Sequence, residues 1–288
     1  MVLSSGRRVF FDVDGAAFEP DGAVLRQRPT ILLIHGSEVD HAFFKPWVSP
    51  LTSVAQLVYV DLIGHGRSDE GEPADWSITA WADSMAELCD RIDLERPIVL
   101  GSSLGGRIAL AMATRRPELV GGLIIVNSVL EGSPDRRIEI FRQLGGEEAA
   151  DAARLDSEHR SETTKDQYMR LCMPLTVQRP YSDDELARLT PVSRRVMDAL
   201  VQISKEPTGL RPLLSRVECP TLVMTGALDP MAPPEDAAEL AASIGDNAAL
   251  EIIEDAGHGV YRDQPDAFIE AVSVFLSTHH DRSQNERT

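Results

Sequence analysis

Residues Ile98–Leu110 read IVLGSSLGGRIAL, an apolar run that closes on a glycine, two serines and further glycines before resuming as helix-forming sequence. The first part has the length and apolar character of a buried strand. The LGGRIALAMATRR segment keeps small and apolar residues at helical spacing until Pro117 stops it. Only Ser103 occupies the centre of G-x-S-x-G, between Gly101 and Gly105, and Ser102 is its neighbour beside the turn. A strand that turns directly into a helix strains its central residue and projects that side chain clear of the backbone. A serine hydroxyl is a poor nucleophile at neutral pH without a base and a group that orients the base. The motif alone is also compatible with a plain glycine-rich turn, so the rest of the chain decides.

Outward from this turn the sequence alternates. TILLIHG (30–36), AQLVYVDLIG (55–64), GGLIIVNS (121–128), PTLVMTG (220–226) and ALEIIEDAG (249–257) are apolar runs ending at turn residues and predict strands. RRVFFDV (7–13) and AVLRQR (23–28) are shorter runs of the same kind. Between them, DHAFFKPWVSPLTS predicts a helix entering near Asp40 and reset by its prolines. In TAWADSMAELCDRI the residues Ala80, Met85, Leu88, Cys89 and Ile92 fall near one another at helical spacing, and PDAFIEAVSVFLSTH predicts a closing helix. Repeated strand–helix–strand units predict a mostly parallel sheet with helices on both faces. The rhythm breaks between residues 130 and 210, where the sequence turns polar and helical. We expect one core, 1–129 with 211–288, and an inserted helical cap, 130–210, over the carboxyl ends of the strands, where open α/β sheets bind ligands. HDRSQNERT at the end reads as a disordered tail.

The 46 acidic and 28 basic side chains give a net charge of −18, which argues against nucleic acid or an anionic membrane as main partner. No apolar run approaches the ~20 residues that span a bilayer, and the opening MVLSSGRRVFFDVDG lacks the pattern of a secretory signal. A cytoplasmic location is the expectation. Cys89, Cys172 and Cys219 are far apart and odd in number, so they read as small core residues rather than as a disulfide framework or metal motif.

Of the seven histidines, His258 in EDAGHGVYRDQP sits in a loop between a strand and the last helix, where a base above the sheet would hang. Asp229 in VMTGALDPMAP follows a strand 29 residues earlier and could hold the imidazole in the tautomer whose free nitrogen faces Ser103. Glu131, after the preceding strand, is the fallback acid. The order Ser, Asp, His, each at a strand's carboxyl end, is that of the α/β-hydrolase arrangement. The oxyanion needs donors: the backbone N–H of Leu104 is one, and the loop after ILLIHG supplies the other, expected from Ser37. His35 should brace that loop, and His65, Arg67 and Asp69 in DLIGHGRSD should scaffold another tight turn. The three catalytic candidates call for no metal or cofactor.

On HG (35–36), DLIGHGRSD, GSSLGG (101–106), GALDPMAP (226–233) and AGHGVYRDQPDAF (256–268), the chain resembles the α/β-hydrolase superfamily from about Arg7 to Thr278. The segment around the nucleophile and IFRQLGGEEAADAARL in the cap are similar to the proline iminopeptidase-like and carboxylesterase branch. The resemblance implies a small-molecule ester or amide as substrate and an acyl-enzyme intermediate. Two departures favour an esterase over an aminopeptidase. HGSEV stands where that branch often has HGGPG, and Leu104 stands where it has tryptophan. An aminopeptidase also needs a carboxylate to grip the substrate amine, and Glu131, Glu139, Glu147, Glu148 and Glu158 in the cap offer too many candidates to choose one. Tyr168, Met173 and Tyr181 are candidate pocket residues of the cap. A carbon–carbon bond hydrolase, a lyase or a non-catalytic small-molecule receptor can use the same framework.

Overall fold

The computed structural model describes residues 1–159, 161–204 and 207–285. The first strands are β1 (Phe11–Asp14), β2 (Phe18–Asp21), β3 (Val24–Gln27), β4 (Thr30–Ile34) and β5 (Gln56–Val60). They are followed by β6 (Ile98–Ser102), β7 (Gly122–Val126), β8 (Thr221–Gly226) and β9 (Ala248–Ile253). Seven of these form one sheet in the order β1-β5-β4-β6-β7-β8-β9, while β2 and β3 make a separate antiparallel hairpin. Only β1 runs antiparallel to its sheet neighbour; every other pairing in the large sheet is parallel.

Both faces of the sheet are covered, and the period of two along each strand says how. In β4, Leu32 and Ile34 enter one apolar cluster while Ile31 and Leu33 enter the other. Helices α1 (Lys45–Val48), α2 (Ile78–Arg91) and α3 (Leu104–Arg115) follow early strands. In α2, Ser77 caps the first turn by accepting the Ala80 N–H, and Trp81, Met85, Leu88 and Cys89 are buried. Each large apolar side chain so removed from water contributes about 1.5–3 kcal/mol, and the cap about 1 kcal/mol. The helix predicted from Asp40 is a 3-10 turn capped by Asp40, then α1, then a second 3-10 turn, so the proline-laden stretch never forms one long helix.

Between β7 and β8 the described residues form helices only: α4 (Pro134–Glu158), α5 (Glu162–Leu171), α6 (Asp183–Ala187) and α7 (Arg194–Ile203), with short 3-10 turns. Serines at 133, 161, 182 and 193 each accept a backbone N–H from the first turn, which is why a polar sequence still makes four helix starts. In α4 the φ of +73° at Gly146 kinks the helix. The core then resumes with α8 (Pro234–Ile244), α9 (Val260–Asp263) and α10 (Pro265–Asn285). Helix α10 runs on into the stretch expected to be a tail, whose last three residues, 286–288, lie outside the described ones. No helix among the described residues is long and apolar enough to cross a membrane. Cys89, Cys172 and Cys219 are buried free thiols, and burial pushes all three above the usual thiol range.

Candidate active site

The carboxyl ends of the strands bring the sequence candidates together. Ser103 follows β6 directly and adopts φ +54°, ψ −115°, a conformation that L side chains seldom take. Its N–H donates to the Val126 carbonyl at 3.0 Å, and its carbonyl accepts from Ser128 Oγ at 2.6 Å and from the Gly106 N–H at 3.0 Å. The turn is therefore pinned at each of its backbone polar groups. Any side chain at Gly105 would run into the Ile34 carbonyl, so the close approach of α3 to β4 requires glycine there. Ser102 points the other way, buried, with its Oγ 3.4 Å from the Tyr261 hydroxyl.

His258 Nε2 lies 3.1 Å from Ser103 Oγ, and its Nδ1 lies 3.0 and 3.1 Å from the two carboxylate oxygens of Asp229. With the carboxylate on Nδ1, the proton belongs there, and Nε2 is left to accept the serine hydroxyl proton. Asp229 is fully buried. Burial alone would raise its carboxyl, but the His258 imidazole, the Ala232 N–H and the Asn127 amide outweigh it and hold the group below the usual carboxylate range.

Asn127, one residue past the end of β7, was not singled out in the sequence. It takes φ +48° and is buried. Its Nδ2 donates to Asp229 Oδ2 at 2.8 Å and to the Gly257 carbonyl at 2.9 Å, while its Oδ1 accepts the Val260 N–H at 3.1 Å. One amide thus fixes both the acid and the loop that carries His258. The usable signal was an asparagine closing an apolar run, since asparagine tolerates left-handed backbone better than other non-glycine residues. Glu131, the fallback acid, is instead engaged by Thr208 and Arg211.

The loop after β4 passes beside the serine: a side chain on Gly36 would lie 3.5 Å from Ser103 Cβ. His35 accepts the Leu62 N–H on Nε2 at 3.1 Å and donates from Nδ1 to the Gly36 carbonyl at 2.7 Å; His65 Nε2 donates to the Ser37 carbonyl at 2.7 Å. Because the peptide bonds are trans, fixing the Gly36 C=O also fixes the opposed N–H of Ser37. Beneath them, Asp61 accepts the His41 N–H and Nδ1 at 2.8 Å and the Arg67 N–H at 2.8 Å. Asp40, His41 and Asp61 lie within 4.8 Å of one another in ligand atoms. Each of their carboxylate oxygens already accepts a backbone N–H, including Thr190 N on Asp40, so the donor set is committed to holding loops.

Burial pushes His35 down to about 3, helped by the neighbouring His65, and burial also lowers His65. Both rings are neutral when folded, whereas in the unfolded chain they protonate near pH 6.5. The unfolded state therefore binds more protons below that pH, and the stability His35 allows is complete above it and lost as pH falls toward about 3. Well below pH 6.5 the slope from His35 approaches about 1.4 kcal/mol per pH unit, and His65 acts in the same direction. Urea midpoints measured at pH 7, 6 and 5 should fall, with a shallower fall in His35→Gln. Equal midpoints across that window would contradict neutral burial.

Of the three residues expected to line a pocket, Tyr168 donates its hydroxyl to Met231 Sδ at 3.4 Å, two residues beyond Asp229. Met173 packs against the helical block's own cluster around Phe141. Tyr181 covers the Arg262 guanidinium at 4.0 Å and faces Phe43.

The sequence profile of the alpha/beta hydrolase fold matches residues 29–265. The chain belongs to that family. Among its relatives, the "Putative carbamate hydrolase RutD" of Caulobacter sp. (strain K31) is 27% identical over 271 residues, covering 92% of this chain and 97% of the relative. Two solved structures share the hydrolase fold. An esterase from Exiguobacterium antarcticum has a TM-score of 0.71 at 18% identity, covering 96% of this chain and 98% of its own. A proline iminopeptidase from Mycobacterium smegmatis has 0.73 at 18% identity, covering 98% of both. At such identities the likeness is one of fold, and an ester-cleaving and an amide-cleaving protein resemble this hydrolase-fold chain equally well.

Proposed function

We propose that the protein is a serine hydrolase that cleaves a small-molecule ester through an acyl-enzyme intermediate. The observation that carries this reading is the continuous hydrogen-bonded line Asp229–His258–Ser103, with its serine on a strained turn. Ser103 Oγ attacks the substrate carbonyl as His258 Nε2 takes its proton, and Asp229 stays ionised to stabilise the imidazolium. The oxyanion is held by the N–H groups of Ser37 and Leu104. His258 then returns the proton to the departing alcohol, and a water activated by the same nitrogen releases the acid. The inserted helices, 130–210, act as a cap over this site, with Tyr168 reaching Met231, two residues beyond Asp229; Met173 and Tyr181 complete the proposed pocket set.

An ester is favoured because an aminopeptidase must pair the substrate ammonium with a carboxylate, an unpaired charge being costly to desolvate. In the helical block Glu131 is taken by Arg211 and Thr208, Glu139 and Glu147 both pair with Arg142, and Glu148 and Glu158 are exposed. The test is a series of p-nitrophenyl esters of increasing chain length, a p-nitrophenyl carbamate, and prolyl and N-acetylprolyl arylamides, with Ser103→Ala as blank. We expect the best ester to exceed prolyl arylamide in kcat/KM by at least about tenfold, about 1.4 kcal/mol in transition-state stabilisation, and a free amine to confer no advantage. Prolyl arylamide cleaved as well as the best ester, with its N-acetyl form inert, would make the protein an aminopeptidase.

A further inference from the structure

After the 3-10 turn Met173–Thr176 the chain becomes extended at Val177 and runs as a strap toward α6. This strap crosses the loop that carries His258. The Thr176 carbonyl accepts the His258 backbone N–H at 2.6 Å, and a side chain on Gly257 would collide with that same carbonyl. Five residues beyond the histidine, the buried carboxylate of Asp263 gathers both segments. Its Oδ2 accepts the Gly257 N–H at 2.9 Å and the Gln178 N–H at 3.0 Å, and its Oδ1 accepts the Arg179 N–H at 3.3 Å. Next to it, Arg262 fastens the strap further along, donating to the Pro180 carbonyl at 2.7 Å and to Glu185 at 3.0 Å.

We propose that Asp263 is a positioning residue for His258, tying the histidine loop to the strap so that the two move as one body. The proposal rests on His258 being the base. The peptide groups around His258 are secured from two sides. Asn127 holds the Gly257 carbonyl and the Val260 N–H from the sheet; Thr176 holds the His258 N–H from the strap, and Asp263 holds the Gly257 N–H while it grips the strap at Gln178 and Arg179. Release of the strap side lets the histidine loop shift, and with it the 3.1 Å contact from His258 Nε2 to Ser103 Oγ. A displacement of about 1 Å there costs on the order of 100-fold in rate. It also means that the inserted helices reach the catalytic centre through the backbone of the histidine loop, independently of any residue that touches substrate.

Asp263→Asn keeps the size of the side chain but turns one acceptor into a donor facing backbone N–H groups. In this variant kcat should fall by about 10- to 100-fold with KM within about threefold, since substrate contacts are untouched, and Ser103 should react with a fluorophosphonate more slowly by a similar factor. Asp263→Glu, which restores a carboxylate on a longer arm, should recover part of the loss. Glu185→Gln separates positioning from mere stability. It loosens the Arg262 anchor while leaving every Asp263 bond in place, and it should lower the unfolding midpoint with kcat within threefold of wild type. An Asp263→Asn enzyme with unimpaired kcat, or a kcat loss matched by Glu185→Gln, would overturn the proposal while leaving the serine-hydrolase reading intact. A Ser103→Ala protein that still hydrolysed ester would remove both together.

Discussion

Ser103→Ala should lower kcat by about five to six orders of magnitude, because loss of the nucleophile in a serine triad costs as much as loss of all three members together. Alanine carries the same backbone strain at φ +54° as serine, so the fold should be unchanged and the lost rate assignable to the hydroxyl. Ser103→Gly separates the two properties of this position. It removes the same oxygen but accepts the left-handed backbone freely, and it should be the more stable variant by about 1 kcal/mol despite the entropy that glycine adds to the unfolded chain. Ser102→Ala is the contrast. Its Oγ makes only the long contact to Tyr261 and lies on the far side of the turn, so turnover should stay within a few-fold. A fluorophosphonate should label the protein once and leave Ser103→Ala unlabelled; labelling abolished by Ser102→Ala instead would move the nucleophile by one residue.

The elbow could be read from sequence because its constraints are local. A glycine two residues beyond Ser103 and a strand-to-helix switch within a few positions leave little choice of backbone. The strands were legible for a similar reason, as short apolar runs bounded by turn residues. Asn127 and Asp263 were not, and neither was the hub formed by Asp61 and His41. Asn127 meets Asp229 across 102 residues and the loop of His258 across 130. Asp263 meets the strap across 85. An asparagine closing an apolar run marks a turn at Asn127 but not the partners of its amide, because those pairings exist only once the sheet order has brought neighbouring strand ends together. The helical block shows the same division. Its polar, helical character is legible in the sequence, yet how its strap docks on the core depends on backbone groups at 176, 178 and 179 that carry no sequence signature at all.

Asp229→Asn should reduce kcat by about 10⁴-fold, the size of effect an orienting carboxylate has in the best-studied triad, and the geometry around Asp229 says how. Oδ1 accepts the Met231 N–H at 2.7 Å and the Ala232 N–H at 3.0 Å. In the variant the amide oxygen must take this place, since an NH₂ there would oppose two backbone donors. The NH₂ is then forced into the Oδ2 position, where it confronts the Asn127 amide at 2.8 Å and the Nδ1 of His258 at 3.0 Å. The imidazole can satisfy that NH₂ only by giving up its Nδ1 proton and carrying it on Nε2, which presents Ser103 with a donor in place of an acceptor. The serine loses its base although every heavy atom can remain in place. The size of the side chain is preserved and the buried negative charge is removed, so stability should change far less than activity. Circular dichroism should stay near wild type and stability fall by only about 1–3 kcal/mol, the cost of one opposed buried donor, while single-turnover acylation slows far more. An Asp229→Asn enzyme retaining activity within a few-fold would mean that this carboxylate does not set the tautomer of His258, and the acid of the relay would have to be sought at another strand end.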